Sequence, residues 1–183
     1  MSYTGIRKGE ALALKWDDID FEKKTISINK NVGRTIDDLQ IITPPKNQSY
    51  VRVIPINPIL LEILKAEKTL SGSEWFFYNY TDKKIFHAAT PHVWLKSIYA
   101  KLPDDFLHIN VHGFRHTFAT MYVENNPNSN PKELQKILGH SKITTTLDIY
   151  THVTNLGKEN MKNGIDNLDF RPKEKTAEKK QKN

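Results

Sequence analysis

The hydrophobic pattern of this chain changes period once, near Pro55 to Pro58, and that change limits what it folds into. Ahead of it, Thr25-Ile26-Ser27-Ile28 and Val51-Arg52-Val53-Ile54 alternate with period two, the spacing of strands, and the stretch between them holds Gly33, Pro44, Pro45 and Lys46. Two short antiparallel strands with a protruding connection are expected. A brief helix precedes them, because Ala11, Leu12, Leu14 and Trp16 cluster between Lys8 and the turn-like Asp17-Asp18-Ile19-Asp20. Behind the change every apolar repeat has helical spacing. Pro58 to Leu64 carries a stripe with Pro in the first turn and Ser71-Gly72 as its stop. Pro91 to Leu102 presents Val93, Trp94, Ile98 and Leu102, and Val111 to Glu124 presents Phe114, Phe118 and Met121. Pro131 to Leu138 ends at Gly139, and Thr144 to His152 reads as one more helix. The predicted fold class is therefore mainly α with a small antiparallel β-sheet near the N-terminus.

Charge narrows the function less than it first promises. The 183 residues carry a formal +6, but the segment from Arg171 to Asn183 supplies most of it and reads as a basic, disordered tail. Only five residues are arginine (Arg7, Arg34, Arg52, Arg115 and Arg171) against twenty-two lysines. Lysine thus serves as generic surface charge, and each arginine becomes a candidate for work that needs a planar five-donor fork. The absence of cysteine excludes a disulfide framework, thiolate metal sites, iron–sulfur clusters and a Cys nucleophile. The start of the chain has no apolar run long enough for a signal peptide or membrane span, so it reads as soluble and cytoplasmic, with no membrane partner.

Five short segments carry chemistry. In Thr4-Gly5-Ile6-Arg7-Lys8-Gly9-Glu10 a rare arginine stands between two glycines just ahead of a helix, where backbone approaches closely and anions are favoured. In His112-Gly113-Phe114-Arg115-His116 helical spacing puts His112 on one face with Arg115 and His116, a base beside a phosphate clamp. Two histidines at i and i+4 are also half of a metal site, yet no acidic third ligand accompanies them, and His116 reads equally as a hydrogen-bonded helix residue. Leu138-Gly139-His140 exposes a histidine at a helix C-terminus, and Tyr150 stands ten residues on in Ile149-Tyr150-Thr151-His152. Lys46 sits at an expected hairpin tip, where a lysine is ordinarily solvated, although a mobile one can be brought onto a leaving-group oxygen as an acid.

Taken in order, these segments resemble the tyrosine recombinase, or phage integrase, family: Thr-Gly-x-Arg with Glu three residues on, Lys six residues before the Arg of Arg-x-Ile-Pro, His-x-x-Arg-His, Leu-Gly-His, and Tyr in an Ile-Tyr-Thr-His context. The resemblance runs from Thr4 to about Leu156 and is closest to integrases of phages and integrative elements of Gram-positive bacteria. It implies the tyrosine recombinase catalytic-domain fold and a site of Arg7, Lys46, His112, Arg115, His140 and the nucleophile Tyr150, with Glu10 as an orienting acid. Arg7, Arg115 and His140 would hold the DNA phosphate, His112 would take the phenolic proton, and Lys46 would protonate the departing 5′-oxygen. The implied product is a 3′-phosphotyrosine bond, made and reversed without metal, ATP or other cofactor.

The resemblance also implies an organisation and a set of partners. Residues 1–170 are expected to form a catalytic domain, truncated at its N-terminus, with core-binding and arm-binding domains absent. Double-stranded DNA is the expected partner, with a homotetramer assembled through segment 155–168 and an accessory DNA-bending or excision factor. Three other readings compete: a non-catalytic DNA-binding remnant or regulator, a type IB topoisomerase-like relaxase, and a His-based metal hydrolase.

Overall fold

The computed structural model describes residues 1–34, 40–44 and 50–155. Lys46, the segment beyond Asn155 and the basic tail lie outside the described residues. The elements run α1 (Lys8–Leu12), β1 (Ile19–Asp20), β2 (Thr25–Ile28), β3 (Asn31–Arg34), β4 (Gln40–Thr43), β5 (Arg52–Pro55), α2 (Pro58–Leu70), α3 (Thr90–Tyr99), α4 (Gly113–Asn125), α5 (Pro131–Leu138) and α6 (Thr144–Asn155), with a 3-10 turn at Trp16–Asp18. This is the expected class, helical with a small antiparallel sheet near the N-terminus.

Both period-two segments are strands, paired antiparallel with Ile26 opposite Ile54, and β1 adds to the free edge of β2 to give the order β1-β2-β5. β1 falls where the sequence reads only as a turn. The protruding connection is itself structured: β3 and β4 pair as a separate two-stranded sheet, with Val32 opposite Ile42. Val32 is buried against Leu12 and Ala13, so this hairpin is anchored on the end of α1.

One core joins the sheet to α1 and α2. Ile26, Ile28 and Ile54 meet Leu61 and Leu64 from α2, with Ile6, Leu14 and Trp16 closing the cluster. α2 begins where it does because the Asn57 side chain accepts from the Ile59 amide at 2.8 Å and Pro58, lacking an amide hydrogen, costs nothing in the first turn. A second core is helical: Ala119 and Val123 of α4 meet Leu134 and Leu138 of α5, with Ile149, Tyr150 and Val153 of α6 packed against them. Leu134 and Leu138 are fully buried, and each such side chain contributes about 1.5–3 kcal/mol on leaving water. That burial fixes the C-terminal end of α5, where His140 follows.

The apolar stripe on α3 is largely exposed. No residue of α3 is buried, Val93 is 63% exposed and Ile98 52% exposed, while Trp94 meets Phe86 edge to face at 4.8 Å. The helical spacing was sound, but no described element covers that face. Among the described residues no helix is long and apolar enough to cross a membrane.

Candidate active site

The two cores meet where the N-terminus of α1, the strand β5, the first turn of α4 and the end of α5 come together, and the chemistry-bearing residues gather there. Gly5 makes the approach possible. Its backbone is left-handed, with φ of 63°, and a Cβ at this position would lie 2.6 Å from both Leu138 and Phe118. Its carbonyl accepts from Arg115, whose other terminal nitrogen donates to the Leu138 carbonyl at 2.9 Å. Arg115 therefore ties the start of the chain to the last turn of α5, and its side chain is buried.

Arg7 stands at the N-cap of α1, a half-exposed position. It donates from Nη1 to Glu10 Oε1 at 2.9 Å and from Nη2 to the Gly139 carbonyl at 2.7 Å, while its backbone amide donates to Glu10 Oε2 at 2.7 Å. The guanidinium lies 4.6 Å over the Tyr50 ring, a favourable stack for a planar cation. Glu10 is buried, and it also receives both terminal nitrogens of Arg52, at 3.0 and 2.8 Å. Burial works against the charge of Glu10, but the hydrogen bonds and charge of Arg52, then those of Arg7, outweigh it and hold the carboxyl below its ordinary value.

In the sequence Arg52 is one of five arginine candidates and a landmark of the Arg-x-Ile-Pro segment, with no place in the implied site. In β5 the inward residues are Arg52 and Ile54, whereas Val51 and Val53 are 55% and 63% exposed, so the strand buries the face that looks polar. The signal was present in composition: one of only five arginines stands in an alternating strand beside two valines that did not need to face inward. Thr146 is the second residue missed. It is fully buried, and its hydroxyl meets His140 Nδ1 at 2.9 Å, fixing the imidazole.

His112, Arg115, His116 and His140 line one cleft of about 490 Å³, with Thr145, Asp148 and His152 of α6 on its opposite wall. The rings of His112 and His116 meet edge to face at 4.9 Å. Among the described residues no group of three His, Asp or Glu side chains is placed to hold a metal ion. Burial, then the charge of Arg7, pushes the Arg115 guanidinium down to about 9, still protonated at neutral pH. Burial and the neighbouring cations Arg115, Arg7 and Arg52 push His140 down to about 4. His112 is lowered as well, by desolvation first and then by His116 and Arg115. In all three, burial is the larger cause and the neighbouring cations add to it.

The low value of His140 has a testable consequence. Between the ordinary histidine value of 6.5 and the folded value of about 4, the unfolded chain binds a proton that the folded chain refuses. Stability present above pH 6.5 is therefore lost as pH falls toward 4, and the melting temperature is expected to drop across that window. In His140→Gln the decline should be shallower. Parallel curves for the two proteins would remove His140 from the acid limb.

Tyr150 does not line this cleft. The residues of α6 that do, Thr145, Asp148, Ile149 and His152, share one side of the helix, and Tyr150 projects across from Asp148 and His152. Its ring packs against the helical core of Ala119, Val123, Leu134 and Leu138, and its hydroxyl meets Ser129 Oγ at 2.8 Å in the loop between α4 and α5. The structure thus brings together Arg7, Glu10, His112, Arg115 and His140, adds Arg52, and holds Tyr150 on the other side of α6.

Residues 1–156 match the model of the phage integrase family. A tyrosine recombinase XerC-like protein of Caldanaerobacter subterraneus subsp. tengcongensis is 32% identical over 90% of this chain and 47% of its own length. The transposase of transposon Tn916 from Enterococcus faecalis is 30% identical over 82% of this chain and 40% of its own length. The chain thus spans less than half of each of these two curated relatives. The Tn1549 transposon integrase, solved in complex with transposon right end DNA, superposes with a TM-score of 0.75 at 28% identity, covering 91% of this chain and 56% of that one. The XerA recombinase, at 22% identity and a TM-score of 0.65 over 92% of this chain and 56% of that one, shares the fold. With its helices and small sheet arranged as in tyrosine recombinase catalytic domains, the chain belongs to the phage integrase family.

Proposed function

We propose that this chain is the catalytic part of a site-specific DNA recombinase that integrates or excises a mobile element, with residues 1–170 as its catalytic domain. The observation that carries the reading is the cationic cluster of Arg7, Arg115 and Arg52 around one buried carboxylate, beside a cleft lined by His112, His116, His140 and His152. A phosphodiester repels nucleophiles, and its non-bridging oxygens gain negative charge as a fifth oxygen approaches. Preorganised guanidinium donors stabilise that charge without reorganisation at the moment of reaction.

In this scheme Arg7 and Arg115 hold the non-bridging oxygens, and neutral His140 adds a ring donor. The Tyr150 oxygen attacks phosphorus, its proton passes to His112, and the bond from phosphorus to the 5′-oxygen breaks as Lys46 protonates that oxygen. The phosphotyrosine bond replaces one phosphodiester, so attack by a 5′-hydroxyl reverses the step at little energetic cost. Neither metal nor ATP enters the balance. Bringing Tyr150 into the cleft requires α6 to turn or shift from its contact with Ser129, a change that DNA binding would drive. Assembly of four copies through segment 155–168, and an accessory DNA-bending or excision factor, complete the scheme. A cytoplasmic setting follows from the substrate.

The Ser129 contact of Tyr150 favours a second reading, in which the chain binds DNA without cutting it. Incubating the chain with a pool of nicked duplexes of varied core sequence separates the two, because loss of the short fragment beyond the nick traps any covalent adduct. Adduct resistant to denaturant and chelator, with the phosphate mapped by mass spectrometry to Tyr150, is the expected result. Salt-sensitive binding without adduct would overturn the catalytic reading in favour of the second.

A further inference from the structure

The reaction scheme leaves Arg52 without a part, although it is the most heavily bonded arginine of the site. Its side chain is 6% exposed, as deep as the adjoining core. Among the described residues four hydrogen bonds hold it: Nη1 and Nη2 to the two oxygens of Glu10 at 3.0 and 2.8 Å, Nε to the Ile137 carbonyl at 2.7 Å, and Nη1 to the Tyr50 carbonyl at 3.0 Å. These partners belong to three separate parts of the chain. Glu10 is in α1, Ile137 is in the last turn of α5, and Tyr50 leads into β5 directly after residues 45–49.

One of these partners, Glu10, is also an anchor of Arg7, and the other anchor of Arg7 lies just past Ile137. Arg7 donates to Glu10 Oε1 and to the carbonyl of Gly139, two residues beyond Ile137. Gly139, left-handed with φ of 66°, lies so close to the Arg52 guanidinium that a Cβ there would stand 3.0 Å from Nη1. His140 follows directly. The carbonyls of a last helical turn lack partners within the helix, so a cation seated on Ile137 both satisfies the group and fixes the direction in which the chain leaves α5.

We propose that Arg52 is a positioning residue of the active site: by holding Glu10 and the C-terminal end of α5 against one guanidinium plane, it fixes both anchors of Arg7 and the direction of His140. Its effect on catalysis rests on the recombinase reading, whereas its hold on Arg7 does not. A lysine cannot replace it, since one ammonium group cannot span Glu10 and the Ile137 carbonyl with fork geometry. The groups facing Glu10 are Arg7 at the N-cap of α1 and Arg52 from β5, with the charge of Arg115 nearby from α4.

The test uses the whole chain as Arg52→Lys and as the double variant Arg52→Met with Glu10→Gln, which removes the Arg52 charge together with that of its buried partner and guards against misfolding of a single variant. Three quantities are read: DNA affinity, the single-turnover rate of adduct formation at saturating DNA, and the Nε resonance of Arg7 in the DNA-free chain. Both variants should melt cooperatively above the assay temperature and bind DNA within about threefold of the parent. Adduct formation should slow about 100-fold in both, the loss expected when a reacting group is displaced by about 1 Å. The Arg7 resonance should move toward that of a solvated arginine.

Variants that cut at the parental rate overturn the proposal, as does a loss of affinity that accounts for the whole loss of rate. If the parent chain forms no adduct, the recombinase reading fails, and the Arg7 resonance alone then judges Arg52. An unchanged resonance in both variants overturns the proposal, and a shift in Arg52→Lys, which keeps Glu10, upholds the hold of Arg52 on Arg7.

Discussion

Tyr150→Phe is expected to abolish the covalent protein–DNA adduct while leaving the fold intact, a loss of at least about 10⁴-fold in adduct formation. The substitution removes one oxygen and nothing else. The phenylalanine ring still packs against the helical core of Ala119, Val123, Leu134 and Leu138, so burial is preserved. What is lost in the resting protein is the hydroxyl contact with Ser129 at 2.8 Å, worth about 0.5–1.5 kcal/mol for a typical hydrogen bond. The melting temperature should therefore fall little, and DNA affinity should be unchanged or slightly higher, because α6 is freed from that contact. An adduct of normal yield in the Phe variant would mean that another residue is the nucleophile. Ser129→Ala gives a companion measurement: if the contact holds Tyr150 away from the cleft, its removal should speed adduct formation by a few-fold.

The second large effect is expected at Arg115. Arg115→Lys keeps the charge, yet adduct formation should fall about 10³-fold, the scale seen when one preorganised donor to a developing oxyanion is lost. The reason is geometric. Arg115 is fixed by donating to the Gly5 and Leu138 carbonyls, and those two bonds orient the remainder of its planar fork toward the cleft. A lysine ammonium cannot satisfy two carbonyls on opposite sides of the site and still present paired donors to a phosphate. Near-parental cleavage by the Lys variant would show that only charge matters here. Binding should suffer less than rate, because much of the affinity for DNA comes from many phosphate contacts spread over the surface. A parallel loss of both would place Arg115 in ground-state binding instead.

These expectations depend on a site whose parts differ in how visible they are in the sequence. Gly5, Arg7, Glu10, His112, Arg115 and His140 are legible because each sits in a short local pattern whose backbone demands are written beside it: a left-handed glycine before an arginine, a helix first turn, a glycine cap. The same holds for α2 and α5, whose Asn caps, first-turn prolines and leucine spacing are contiguous. Arg52 was hidden for the opposite reason. A period-two strand offers two faces, and nothing within Val51 to Ile54 says which one will meet Glu10 and Ile137, residues 42 and 85 positions away. The exposed face of α3 and the structured β3–β4 hairpin escaped for the same cause, since each depends on what another part of the chain does or does not bring against it.

The chain by itself determined the period of β2, β5 and the helices, the order of the chemical segments and, through them, the family, because local spacing and backbone preference act over a few residues. Only the tertiary structure decided that Arg52 faces inward to join Glu10 with the end of α5, and that Tyr150 rests on Ser129 across α6 from the cleft. Those are choices between faces of a strand and sides of a helix, and they are made by whichever distant surface buries the most area and satisfies the most polar groups.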